Sequence, residues 1–183
     1  MLEPAFINQT ELQKLYSSFI SDKKSVYALP FPLRYQLLLD ETNLYSIQIV
    51  SKNVQNQIIG YIEAQIDRYN NIVENVFLIK FCKDNSYIFT KDTLDFVSEL
   101  FDTHGFEKIV FQTIIQNPAN SIFSRFIKEK KVGRLIGVLK GHRKNIKGKN
   151  FDVALYEVYK TSWKRLLNKQ ETLLHKKNND LEV

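Results

Sequence analysis

The chain has 183 residues, of which 44% are hydrophobic and 13% aromatic, a composition typical of one globular domain rather than of a disordered chain. No apolar run reaches the ~20 residues of a membrane-spanning helix, and one cysteine excludes both an internal disulfide and a cysteine-rich zinc site. The net charge of +6 arises in residues 128–149, where nine Lys or Arg residues stand against one Glu, so we expect an anionic partner on that side.

The first predicted element is a helix over residues 8–19. Asn8 supplies a capping side chain before an acid three residues later, and apolar residues then recur at helical spacing. Pro30 and Pro32 favour an extended segment, after which residues 33–39 are predicted to form a second short helix.

Two antiparallel strands are predicted next, separated by turn residues at 53–57. Residues 44–51 form the first strand. In the second strand apolar and polar residues alternate, so that Ile58 and Ile62 face inward while Glu63 faces outward.

A strand–helix–strand unit follows. Residues 76–82 predict a central strand covered on both faces, since Lys80 is their one charged residue. Thr90 or Asp92 is expected to cap the helix, and Gly105 to end it. The inward side of this helix is predicted to carry Leu94, Val97 and Phe101. With a strand at 108–115, the unit implies a parallel or splayed pair of strands.

The C-terminal part is predicted to hold a helix, a hairpin and a tail. Asn117 is the expected N-cap of the helix, with Pro118 at its first position. The buried face of that helix is predicted to be Ile122, Phe123, Phe126 and Ile127. Strands at 135–140 and 151–159 flank a basic connection at 141–150. We expect one domain over 1–163 and an amphipathic basic tail helix over 164–183, which docks either on the body or on a partner chain.

Residues 57–163 resemble the C-terminal half of GNAT-superfamily N-acetyltransferases in the order of their elements. The likeness rests on the punctuating stretches at 92–97, 105–109, 117–121 and 134–139, and on the closing residues Asp152, Tyr156 and Trp163. It fits the branch that acetylates small amines and protein N-terminal amines, including those of ribosomal proteins. The resemblance implies an α/β (α+β) fold with a mixed, mostly antiparallel sheet of about six to seven strands, a central splayed parallel pair and flanking helices.

The resemblance implies acetyl-CoA as co-substrate, bound where the central strand diverges from its parallel neighbour. In the family the pyrophosphate lies on free amides at the start of the next helix, where the helix dipole favours an anion. Ser86 and Ile88 stand where the family has glycines. The implied site here is Phe81, Cys82, Lys83, Ser86, Tyr87, Ile88, Phe89, Thr90 and Lys91. Either this stretch follows another path and still presents its amides, or the chain has lost cofactor binding.

A second cofactor element is implied at the start of the helix after the second parallel strand, where the family places a polar contact to the pantetheine arm. The candidates by residue type are Asn117 and Asn120. Matching the family motif without gaps instead places Ser121 and Ser124 at its Asn and Ser positions, one residue away from Asn120. Lys128 stands where many relatives carry the tyrosine that protonates the leaving thiolate.

Acetyl transfer requires a neutral amine. An α-amine, with a pKa near ~7.7–8, is partly neutral already, whereas a lysine amine near ~10.4 needs a base. Glu63 and Glu74 are the acids expected to act through water. Amides near Phe81–Lys83 are expected to polarise the thioester carbonyl. The three histidines are scattered without metal-ligand spacing, so no metal is expected.

The leading hypothesis is a cytoplasmic N-acetyltransferase that acts on a small amine or a protein N-terminus and could form a homodimer. One alternative is a catalytically inactive module with the same fold, because the glycines and the helix tyrosine are missing. Another is nucleic-acid binding through 128–149, although few aromatic residues are interleaved there for base stacking.

Overall fold

The structure, a computed structural model, describes residues 1–21, 37–144 and 149–179, with side chains up to residue 169. Its strands are β1 (Leu2–Pro4), β2 (Ser46–Lys52), β3 (Ile58–Asp67), β4 (Ile72–Lys80), β5 (Lys108–Ile114), β6 (Gly133–Lys144) and β7 (Asn150–Tyr159). Its helices are α1 (Gln9–Ser21), α2 (Ser86–Asp102), α3 (Pro118–Lys130) and α4 (Lys160–Asn179), and a 3-10 helix (Ala5–Asn8) precedes α1.

The seven strands form one mixed sheet in the order β1-β2-β3-β4-β5-β7-β6. Every neighbouring pair is antiparallel except β4 and β5, which are parallel. A parallel pair requires a crossover connection, and α2 supplies it. The predicted α/β (α+β) fold with a central parallel pair is therefore confirmed.

The sheet is covered on both faces. The larger core cluster joins the sheet to α2, α3 and α4, and its centre includes Phe96, Phe101 and Trp163. The Trp163 ring lies 6.2 Å from the rings of both Phe101 and Phe126, so α4 is held between α2 and α3. The smaller cluster packs α1 against the opposite face, through residues such as Leu12 and Tyr16.

A β-bulge changes the predicted faces of β3. The register shifts between Ser51 and Lys52 of β2, which pair with Gly60 and Ile58 respectively. Because one extra residue reverses the alternation of side chains, Ile58 lies in the smaller cluster while Ile62 lies in the larger one. The prediction that both share a face was wrong. The predicted outward face of β3 is also covered, since α1 packs there.

Helix α2 begins at Ser86, four to six residues before the predicted caps. Asp92 is instead buried in the second turn, where it accepts hydrogen bonds from Ser51 Oγ (2.7 Å) and from the α-amino group of Met1 (3.0 Å). Leu94, predicted to face inward, is 37% exposed. The predicted end was right: Gly105 has a φ of 79°, and Phe106 N–H beyond it bonds to the Leu100 carbonyl.

The predictions for α3, for the second short helix and for the last two strands were confirmed only in part. The N-cap Asn117 and the start of α3 at Pro118 are as predicted, but Ile122 is exposed. Residues 33–36 of the predicted second helix lie outside the described residues, and 37–39 have no regular secondary structure. The strands β6 and β7 extend into the predicted connection, of which 145–148 lie outside the described residues.

Helix α4 begins before the predicted tail. It starts at Lys160 and contains Trp163, which the resemblance placed with the closing strand. The division into a domain and a tail helix stays a prediction. In the described part of the chain, no helix combines the length and apolar character needed to cross a membrane.

Candidate functional site

The parallel strands β4 and β5 separate soon after they begin. Their ladder consists of two residue pairs, Ile72 with Lys108 and Val73 with Ile109. Both strands continue beyond these pairs, with β4 bonded only to β3 and β5 only to β7. The result is a wedge that opens toward the carboxyl ends of β4 and β5, as the resemblance implied.

The edge of β4 offers free backbone groups to this wedge. Phe81 N–H bonds to the Ile59 carbonyl on the β3 side. Because backbone groups alternate in direction along an antiparallel pair, those of Val76, Leu78 and Lys80 point to the opposite side, where β5 has diverged. An extended ligand could pair with β4 there as a strand would.

Two helices begin at the open end of the wedge. Helix α2 follows β4 after the connection at 81–85, and α3 follows β5 after 115–117. Since the two strands are parallel, their carboxyl ends meet at one edge of the sheet, the usual location of ligand sites in such folds. Each helix N-terminus adds a partial positive charge, but the two ends differ in how their first amides are satisfied.

The N-terminus of α2 lacks a side-chain cap. Asn85 occupies the N-cap position in a left-handed conformation, φ 60°, and its side chain makes no capping bond. Phe89 N–H bonds to the Asn85 carbonyl, which leaves the amides of Ser86, Tyr87 and Ile88 without a protein acceptor among the described residues. Asparagine tolerates this left-handed conformation better than most residues.

Positive charge lies beside these amides. The Lys80 ammonium donates to the Lys83 carbonyl (2.9 Å) and to Ser86 Oγ. A cation at the positive end of a helix is unfavourable by itself, and an anion between ammonium and amides would reverse that. Lys83 is exposed, whereas Lys91 pairs with Asp95 (2.5 Å), a hydrogen bond that raises the pKa of Lys91.

Ile88, which stands where the family has a glycine, lies in the first turn of α2. As a helix residue, Ile88 packs its side chain against the larger core while its amide remains at the N-terminus. Phe89 is buried and lies over Gly60, so its ring belongs to the core. Tyr87 is 81% exposed and Thr90 is exposed, while the thiol of Cys82 is turned to the Asp84 carbonyl (3.1 Å).

The N-terminus of α3 is capped, unlike that of α2. Asn117 Oδ1 accepts from Ala119 N–H (3.0 Å), and Ser121 Oγ donates to the Pro118 carbonyl (2.8 Å). Asn120 Oδ1 accepts from the Tyr156 hydroxyl (2.9 Å). Ser124 is exposed, and Lys128 lies in the last turn, ~12 Å along the helix axis from Asn120. The structure thus brings Asn117, Asn120 and Ser121 to the wedge, but not Lys128.

The two predicted acids differ in environment. Glu63 is 4% exposed, lies opposite Phe77 of β4, and accepts a hydrogen bond from the Tyr61 hydroxyl (3.0 Å). Glu63 therefore lies one strand away from the open part of the wedge. Glu74 is exposed and occupies a bulge next to Val73, at the closed end. In the described residues no group of three His, Cys, Asp or Glu side chains could hold a metal ion.

Sequence reasoning missed three residues of this region. Lys80 was read only as the charged residue of a strand, although its place at the end of the strand that precedes α2 could have marked it. Asn85 could have been found because the connection at 81–85 contains no glycine, and asparagine is the residue there that best tolerates a positive φ. Tyr156 was assigned to shaping the fold, and no local pattern connects it to Asn120, which lies 36 residues earlier.

The chain is similar in structure to polyamine acetyltransferases of very low sequence identity. Two variants of the spermidine N-acetyltransferase SpeG from Vibrio cholerae superpose with TM-scores of 0.67 and 0.68 at 12% and 14% identity, over 89% of this chain and 96% and 95% of theirs. The spermidine/spermine N-acetyltransferase SpeG from Vibrio cholerae in complex with manganese ions gives 0.55 at 17%, over 87% of this chain and 78% of the other. No family model and no curated protein matches the sequence. The chain therefore has a GNAT-type fold.

Proposed function

We propose that this protein is an N-acetyltransferase that transfers an acetyl group from acetyl-CoA to a primary amine. The observation that carries the proposal is the wedge between β4 and β5, with the uncapped N-terminus of α2 at its open end. Acetyl-CoA supplies a thioester whose carbonyl carbon a neutral amine attacks, with the thiol of CoA as leaving group.

Different parts of the wedge are assigned to different parts of acetyl-CoA. The amides of Ser86, Tyr87 and Ile88, with the Lys80 ammonium, hold the pyrophosphate. The free edge of β4 would pair with the pantetheine arm. Its amides would polarise the thioester carbonyl in place of the expected Phe81 amide, which bonds to the Ile59 carbonyl. Asn120 contributes its amide from the other side of the wedge.

Glu63 is the better placed of the two acids. Glu63 lies on β3 opposite Phe77, in the part of β4 that has separated from β5, whereas Glu74 lies at the closed end of the wedge. We assign to Glu63 the role of accepting the proton of the attacking amine, through water or the Tyr61 hydroxyl that it binds. An α-amine or another weakly basic amine demands least from such a relay, so small amines and protein N-termini remain the proposed acceptors.

Calorimetric titration with CoA tests the cofactor site. We expect a Kd within the ~1 μM to 1 mM range of enzyme substrates. Lys80→Met should weaken binding about three- to tenfold, because it removes the cation beside the α2 amides. Lys164→Met is the matched control: it removes a lysine paired with Asp102 (3.0 Å) at the other end of α2, and should leave affinity within twofold. Absence of CoA binding by the wild-type protein would refute the proposal.

The chemistry of α3 favours a second candidate, an inactive module of the same fold. The helix has no tyrosine, and Lys128, at the matching position, is exposed and remote from the wedge. Release of free CoA with spermidine, a simple primary amine and a peptide with a free N-terminus distinguishes the two. Turnover with any of them eliminates the inactive module, and CoA binding without turnover supports it.

Nucleic-acid binding is less favoured by the described part of the basic segment. Arg134 pairs with Glu157 (2.6 Å) and Lys140 with Asp152 (3.1 Å), both acids of β7. Arg143 donates to Gln112 of β5 (3.0 Å). These three cations tie β6 to the sheet.

A further inference from the structure

Tyr156 connects the middle of β7 to the first turn of α3. Its side chain is 3% exposed, and its ring stacks on Phe111 of β5 at 5.2 Å with an interplanar angle of 19°. The ring of Phe123 packs edge-on against the same Phe111 ring, at 5.5 Å. Phe111 and Phe123 are apolar, so ring packing alone would be met equally well by phenylalanine at position 156.

The hydroxyl of Tyr156 has one hydrogen-bond partner in the described chain, Oδ1 of Asn120, at 2.9 Å. This bond engages one side of the Asn120 amide and leaves the other side free. Nδ2 has no acceptor within the described residues, where no buried side-chain polar atom lacks a partner. Nδ2 is therefore not fully buried, and no described residue accepts from its N–H groups.

Asn120 lies in the first turn of α3, at the open end of the wedge. Asn120 lies three residues after the N-cap of α3, on the helix that starts where β5 leaves the wedge. An asparagine side chain in such a place ordinarily samples several rotamers and both amide orientations. The bond to a buried, stacked tyrosine holds one edge of this amide in place; in the structure that edge is Oδ1, so Nδ2 is the edge left free.

We propose that Tyr156 is a positioning residue, which holds the Asn120 amide so that Nδ2 donates to a carbonyl oxygen of the pantetheine arm of CoA. The arm contains two amide carbonyls, and each of them can accept a hydrogen bond from Nδ2. The inference rests on the proposed function. It adds a residue of β7, outside both parallel strands and both wedge helices, to the cofactor site.

The experiment compares two ligands that differ by the arm. Full CoA and its nucleotide half, adenosine 3′-phosphate 5′-diphosphate, are titrated calorimetrically into the wild-type protein and into Tyr156→Phe, which keeps the stacked ring. We expect Tyr156→Phe to weaken CoA binding about three- to tenfold, the size of one neutral hydrogen bond, and to leave the nucleotide half within twofold.

Two further variants separate positioning from stability. Asn120→Ala should lose the same factor, and Tyr156→Phe added to it should cause no further loss, because the hydroxyl acts only through Asn120. Asn120→Asp keeps an acceptor for the Tyr156 hydroxyl but removes the Nδ2 donors. It should unfold at the wild-type urea midpoint and still lose CoA affinity.

Three results would overturn the role proposed for Tyr156, and a fourth would remove the proposed function as well. If Tyr156→Phe binds CoA as the wild type does, or if it weakens both ligands equally, Tyr156 has a structural role only and the inference is overturned. Additive losses in the double variant overturn it too. A wild-type protein that binds neither ligand removes the proposed function and the inference together, a result that differs from a wild type that binds and a variant that binds equally well.

Discussion

Gly60 and Phe89 make one contact on which the start of α2 depends. A Cβ built on Gly60 would lie 2.1 Å from Phe89 Cε2, 2.4 Å from Cδ2 and 2.9 Å from the Ile79 carbonyl oxygen. Since ordinary contacts begin near 3.4 Å, Gly60→Ala forces the buried ring to move by more than 1 Å, and the backbone oxygen cannot move away. We expect a destabilisation of about 2–4 kcal/mol, the upper range of overpacking, and weaker CoA binding because the first turn of α2 moves with Phe89.

Urea unfolding at equilibrium measures the first effect, as a lower midpoint with an unchanged slope. Gly137→Ala is the matched control, because an added Cβ there meets no atom within 4 Å, and it should shift stability by no more than about 0.5 kcal/mol. Phe89→Leu removes the clashing ring atoms, so in the Gly60→Ala background its cost should be smaller than in the wild type by about 1 kcal/mol. A Gly60→Ala protein as stable as the wild type would show that the ring does not lie over Gly60.

Three other predictions follow from single contacts. Hydrogen bonds from Tyr159 and Arg134 lower the pKa of Glu157 in the folded protein. The ionised carboxylate therefore stabilises the fold fully above pH 4.5, and this contribution is lost as the pH falls through the lowered pKa of the folded state. Glu157→Gln should lower the urea midpoint at pH 7 and make that midpoint less dependent on pH in acid. Asn117→Ala removes the cap of α3 and should cost about 1 kcal/mol by urea unfolding, whereas Asn117→Asp should retain most of it. Gly105→Ala should cost about 1–2 kcal/mol in the same assay, because the φ of 79° is strained for alanine although its Cβ meets no atom; a cost near zero would contradict the left-handed turn.

Local chemistry made the ends of some elements predictable. Asn117 and Pro118 fix the start of α3 because a capping side chain and a residue without an N–H suit the first turn of any helix. Gly105 ends α2 for an equally local reason, its positive φ. The start of α2 was missed because Ser86 to Phe89 contain no cap and resemble a loop, while the actual N-cap, Asn85, acts through its backbone conformation.

Burial depended on partners that are distant in the chain. Glu63 was assigned to an outward face by alternation, yet it is buried because its strand is covered on the α1 side as well as on the α2 side. Likewise Ile58 changed faces through a bulge that arises only when β2 and β3 pair. Alternation reports which residues share a face, and it carries no information on what covers that face.

The sequence by itself determined the order of the elements from α1 to α4 with strands β2 to β7, the cap of α3, and the resemblance from which a parallel central pair was expected; strand β1 was not predicted. Only the tertiary structure decided how far that pair runs before it separates, that the α2 amides remain uncapped beside Lys80, and that Tyr156 reaches Asn120. The physical reason is separation along the chain. A cap involves neighbouring residues, whereas the wedge joins residue 72 to residue 108, and the tyrosine contact spans 36 residues, so both depend on the packing of the whole sheet.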